Sequence, residues 1–179
     1  MKKAIALALV LVSVFALAAA QAQEVEIHRE DALFYIVVTL PNGARVAQSQ
    51  TDGHNSMTDI EFITPGKPSV VITTAADEMY IGQSLSDLTK EEVELIINGI
   101  TVEMAQPVSD IRKTADGYEY IVVNESMQEN DTCDTVMLVN GYFIMVHVFY
   151  EDFSELTPED QEIGPSIVET FRFVGNTNT

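Results

Sequence analysis

Apolar and polar residues alternate along most of this chain with the two-residue period of strands, and the pattern is densest from Thr135 to Tyr150. There Thr-Val-Met-Leu-Val and Tyr-Phe-Ile-Met-Val-His-Val-Phe-Tyr meet at Asn140-Gly141. Asn and Gly tolerate the positive φ of a type I′ turn, so this stretch predicts a two-residue β-hairpin. In its second arm Tyr142, Ile144, Val146, Val148 and Tyr150 point one way, and Phe143, Met145, His147 and Phe149 the other. A strand apolar on both faces belongs in the middle of an antiparallel sheet, with a helix over one face and a second layer over the other.

The pattern places further strands upstream. Glu24 to Arg29 reads as a ragged first strand, and Ala32 to Leu40 as a second, closed by the turn residues Pro41-Asn42-Gly43. Ala44 to Gln50, Met57 to Thr64 and Ser69 to Thr74 follow, separated by a loop at 51–56 and by Pro65-Gly66-Lys67-Pro68. The period then changes. Thr89 and Glu92 form a capping box, Leu88 and Val93 a hydrophobic staple, and Val93, Ile96, Ile97 and Ile100 an apolar helical stripe. This helix ends at Asn98-Gly99 or runs on to Met104. Val108 to Lys113 and Tyr118 to Val123 are strands, and Asn130-Asp131-Thr132 reads as a loop before the hairpin. Thr157-Pro158 starts a last helix as N-cap and N1. Pro165 splits it into two pieces, and Ile163, Ile167, Val168 and Phe171 supply its buried side. The order is strands, helix, four antiparallel strands, helix, which is an α+β fold.

Gly117-Tyr118-Glu119-Tyr120, the Asn140-Gly141 hairpin and the closing Ile167-Val168-Glu169-Thr170-Phe171-Arg172-Phe173 together resemble the Mog1/PsbP-like fold family, with Thr170 where Ser is usual. The resemblance spans residues 32–174 in order of elements. It implies an antiparallel sheet flanked by two main helices, with the last helix ending in that Phe-x-Phe string. It also implies binding and accessory roles rather than one shared chemistry. The matching positions are structural, so no functional residue carries over.

The N-terminus bears on compartment. Lys2 and Lys3, the uncharged run Ala4 to Ala19 and Ala20-Gln21-Ala22 read as a signal peptide over residues 1–22, with Gln23 as the new terminus. The run is short for a spanning helix, so no transmembrane helix is expected in the mature chain. The peptide is Gram-negative in style, and the expected location is periplasmic or secreted. Residues 23–179 then form one α+β domain with 7 basic and 28 acidic residues. That balance argues against nucleic acid or an anionic membrane as partner and favours a cationic partner or a divalent metal; the alternative is a merely solubilising, salt-adapted surface. The lone Cys133 permits no intramolecular disulfide, leaving it to pair between chains or to be buried; its neighbours Asp131 and Asp134 disfavour a thiolate, so it reads as a structural or adventitious thiol.

Candidate chemistry is sparse. His28 reads as a solvated polar residue, His54 beside Asp52 and Asn55 lacks a second His or Cys at ligand spacing, and His147 reads as a hydrogen-bonded core or sheet-surface histidine rather than a catalytic base. No phosphate loop, nucleophile elbow, zinc helix or dinucleotide motif occurs, and no cofactor is expected. An enzyme would have to draw on loop carboxylates, with Asp52, Asp131 and Asp134 the best placed. A small-ligand or lipid carrier would need a helix standing off the apolar sheet. The favoured expectation is a non-enzymatic binding module. No Lys or Arg lies between Lys113 and Arg172, while thirteen acids do. Glu151, Asp152, Glu155, Glu159, Asp160 and Glu162 are the expected contact residues for a protein partner with a basic patch.

Overall fold

A computed structural model describes residues 23–28, 34–52, 55–62, 66–100, 109–127, 130–152 and 154–175. The expected signal peptide, residues 1–22, and His54 lie outside them.

Among the described residues, ten strands form two antiparallel sheets. The larger contains β3 (Ala44–Asp52), β4 (Asn55–Phe62), β5 (Ser69–Ala76), β6 (Arg112–Lys113), β7 (Glu119–Met127), β8 (Asn130–Val139) and β9 (Tyr142–Phe149). Its order is β3-β4-β5-β9-β8-β7-β6, so β9 is the fourth of seven strands, where its two apolar faces predict it. The smaller sheet has the order β1-β2-β10, from Glu24–Ile27, Phe34–Thr39 and Arg172–Gly175. Among the described residues, three α-helices accompany the sheets: α1 (Lys90–Ile100), α2 (Pro158–Gln161) and α3 (Ile163–Val168).

Each face of the large sheet has its own core. On one, Val70, Ile72, Met137, Ile144, Val146 and Val148 pack with Phe34, Ile36 and Val38 of the small sheet and with Ile167 and Val168 of α3. On the other, Ile121, Val123, Val136 and Leu138 pack beneath Leu85 and Ile97, with Tyr80, Leu88, Val93, Phe143 and Met145 at the margin. The capping box of α1 is formed: Glu92 accepts from the Thr89 backbone N–H at 2.7 Å, and the Glu92 N–H donates to the Thr89 hydroxyl at 3.2 Å.

Several boundaries differ from the sequence expectation. The strands form two sheets, because the C-terminal aromatic string does not close a helix. Phe171 packs into the core, and Arg172–Gly175 pairs with β2 while Phe173 meets Phe34 edge-on at 5.5 Å. Asn130-Asp131-Thr132 belongs to β8, since pairing with β7 out to Met127↔Asn130 satisfies the backbone of polar residues that favour loops locally. Of the expected strand from Val108 to Lys113, whose first residue lies outside the described ones, Arg112–Lys113 pairs as β6, and Ser109 exchanges bonds with Val122. α1 runs through Asn98-Gly99 to Ile100.

The last helix breaks at Glu162, three residues before Pro165. Proline has no N–H for the carbonyl four residues back, and its ring crowds that carbonyl. The carbonyl in question is Gln161 O, which accepts from the buried Cys133 thiol at 3.4 Å. Gly164, next to the break, lets α3 approach the sheet; a Cβ there would stand 2.5 Å from Thr135 Oγ1.

Candidate functional site

The expected contact residues lie where β9 leaves the large sheet. β8 begins and β9 ends at that edge, with Thr132 opposite Phe149. The Cys133–Gln161 contact ties α2 to it. Glu151, Asp152, Glu155, Glu159 and Glu162 are all exposed there. Ser154 donates its backbone N–H to Asp152 at 3.2 Å, and hydrogen bonds from Ser154 hold the Asp152 carboxyl below its ordinary value. Two bases from other elements reach the cluster: Lys67 Nζ lies 4.0 Å from Glu159 and Arg112 lies 3.9 Å from Glu162. Contacts this long between exposed side chains contribute little to stability.

Asp160 is different. It is 3% exposed and accepts from the Thr157 backbone N–H at 3.0 Å, the Thr157 hydroxyl at 2.6 Å and the Tyr150 hydroxyl at 3.3 Å. It is the N3 member of a capping box on α2, so its carboxylate is turned inward and takes no place on the exposed face. Burial and then the Asp160 charge push the Tyr150 phenol above its ordinary value, since both disfavour a phenolate.

The carboxylates considered for an enzyme separate as well. The side chains of Asp52 and Asp131 lie outside the described residues. Asp134 is not in a loop but in β8, 2% exposed, where its Oδ1 accepts from His147 Nδ1 across the β8–β9 pair. His147 is a hydrogen-bonded sheet histidine, as its apolar surroundings predict; its side chain is 30% exposed and its ring lies 4.9 Å from that of Phe149. The partner was missed, although the signal for it was present. A two-residue turn at Asn140-Gly141 pairs Val139 with Tyr142, and counting outward from that pair places Asp134 opposite His147.

Two other groups are settled by their surroundings. Cys133 is fully buried, and desolvation, followed by the charges of Asp134 and Glu162, pushes its thiol up to about 12. The thiolate that nucleophilic chemistry needs is thereby suppressed. Glu119 is 7% exposed. Burial alone would raise its carboxyl, but the Ser86 backbone N–H at 2.8 Å and Lys113 Nζ at 3.1 Å hold it below its ordinary value. It clamps the 3-10 turn Leu85–Asp87 to β7.

Among the described residues no three His, Cys, Asp or Glu side chains converge as metal ligands, and no helix is long and apolar enough to cross a membrane. Comparison with protein-family models and with curated proteins finds no match.

Proposed function

We propose that the mature chain is a periplasmic or secreted, non-enzymatic binding or accessory module, a single α+β domain of the Mog1/PsbP-like kind. It docks a basic patch of a protein partner through its acidic edge. The observation that carries this reading is the joint exposure of Glu151, Asp152, Glu155, Glu159 and Glu162 on the segment between β9 and α3. Beneath it, both faces of the sheet are filled by side chains. Like charges held together at the rim of a rigid scaffold steer an oppositely charged partner and speed association. The test is capture from the native periplasm by the mature protein across a salt series. Capture should weaken as salt rises and should fall with Glu155, Glu159 and Glu162 changed to Lys. Capture that ignores both changes leaves the edge a solvated surface only.

One observation favours a second reading, a small secreted enzyme. A histidine oriented by a buried carboxylate, as His147 is by Asp134, is the arrangement of a general base. Turnover of any ester or phosphoester from a chromogenic panel, abolished in His147→Gln, would support it. The Asp134–His147 pair also joins two neighbouring strands, and a purely structural pair gives no turnover.

A further inference from the structure

At the opposite end of the hairpin, about 25 Å away along the eight residues of β9, the surface has another character. The loop from Asp77 to Gly82 lies against the Asn140-Gly141 turn and carries two exposed apolar side chains, Met79 at 72% and Ile81 at 54%. Single apolar residues scattered over a soluble surface are ordinary; here two stand together in one short loop.

This loop is held in one shape. The Asp77 N–H donates to Gly141 O at 2.8 Å, and the Gly82 N–H donates to Asn140 Oδ1 at 3.2 Å, so both its ends are tied to the turn. The Met79 N–H donates to Asp77 Oδ1 at 3.0 Å, and the Tyr80 N–H to Asp77 O at 3.2 Å. The Tyr80 ring packs edge-on against Phe143 at 5.2 Å. Apolar anchors on a fixed backbone lose little conformational freedom on binding, which is the condition for a hot spot. Beside them opens a cavity of about 90 Å³, lined by Ala76, Asp77, Glu78, Ile81, Gly141 and Tyr142 among others. It suits one apolar side chain; a lipid tail would not fit.

We propose that this end of the sheet is a second docking site, for a protein segment that inserts one aliphatic side chain beside Ile81 and carries Lys or Arg on either side of it. The charge of the rim selects that occupant. Asp77 and the exposed Glu78 border the cavity, and the chain as a whole carries a formal charge of −19. A second copy of this chain or an anionic membrane would be repelled, whereas a basic flank is attracted.

The test uses isotope-labelled mature protein and three synthetic octapeptides with a central Leu-Leu: one flanked by Lys, one by Ser and one by Glu. The Lys-flanked peptide should move the backbone amide resonances of Met79, Ile81, Gly82 and Gly141. It should bind at least about tenfold more tightly than the other two. Met79→Ser with Ile81→Ser should weaken it by about tenfold or more, and Glu78→Lys should reverse the preference between the Lys and Glu peptides. Both changes fall on exposed side chains, and an unchanged thermal melt confirms that the fold survives. The proposal is overturned if the resonances that move lie elsewhere, at the acidic edge for example. Equal binding of all three peptides overturns it too, as does unaltered binding by the double variant. Concentration-dependent self-association that the double variant abolishes would assign the site to a second copy and overturn the choice of partner.

Discussion

The two ends of the β8–β9 hairpin use their polar groups in opposite ways. At the Asn140-Gly141 end the backbone and one Asn side chain bond to the Asp77–Gly82 loop, and apolar side chains are left outward. Where β9 ends, polar side chains divide by their donors. Asp160 has three and is buried, whereas Glu151, Glu155 and their neighbours are exposed. Burying a charge is tolerated only where donors replace its water, so at this end the count of donors separates the buried carboxylate from the exposed ones. The contrast can be broken at either end.

The largest effect is expected at the turn. Asn140 and Gly141 have φ of 48° and 78°, and a Cβ on Gly141 would meet Ile81 Cγ1 at 2.9 Å and Asp77 O at 3.0 Å. Gly141→Val should therefore cost roughly 2–5 kcal/mol, combining backbone strain with overpacking against a pinned loop. Denaturant midpoints decide it. A cost near zero would mean that the loop does not sit on the turn.

Next comes the pair between the ends. Asp134→Ala removes the acceptor of His147 Nδ1 from a buried position and should destabilise by about 1–3 kcal/mol. A double-mutant cycle with His147→Ala should return a coupling of about 0.5 kcal/mol or more. Additive losses would show the two side chains to be energetically independent.

At the acidic edge the comparison sharpens within a few residues. Asp160→Ala removes the acceptor for Thr157 and Tyr150 and should cost about 1–2 kcal/mol. Glu155→Ala, on an exposed side chain, should stay within about 0.5 kcal/mol of wild type. Equal effects would refute the sorting by donors.

How far the sequence carries follows from which forces are local. The hairpin, the α1 capping box and the Thr157-Pro158 helix start were legible because each depends on residues within a few positions. The central place of β9 was legible from its two apolar faces. The division into two sheets was not, because Phe173 joins β10 to β2 through contacts some 140 residues away in sequence. Nor was the inward turn of Asp160. It looks like its exposed acidic neighbours until Tyr150 is folded over it. The Asp134–His147 pair was recoverable by counting from the turn, but reading Asn130-Asp131-Thr132 as a loop drew attention from β8. Met79 and Ile81 gave no periodic signal, because a 3-10 loop has none to give.

A smaller effect is expected in acid. Glu119 is held below its ordinary value of 4.5 by Ser86 and Lys113 against the cost of burial. The folded state therefore takes up this proton less readily than the unfolded one. The stabilisation is complete above about pH 4.5 and is lost as pH falls through the folded value. Wild type should exceed Glu119→Gln in stability by more at pH 7 than at pH 3, and Lys113→Ala should narrow that gap. A gap that does not change with pH would place the contribution of Glu119 in packing alone.

The most direct test of the acidic edge is kinetic. If capture yields the proposed partner, its association rate with residues 23–179 is measured from about 0.05 to 0.5 M salt, a range over which the screening length shrinks severalfold. The rate should fall steadily with salt. Changing Glu155, Glu159 and Glu162 to Lys should slow association at low salt while leaving the thermal melt unchanged. A rate indifferent to salt and to the reversed charges would contradict docking through this edge.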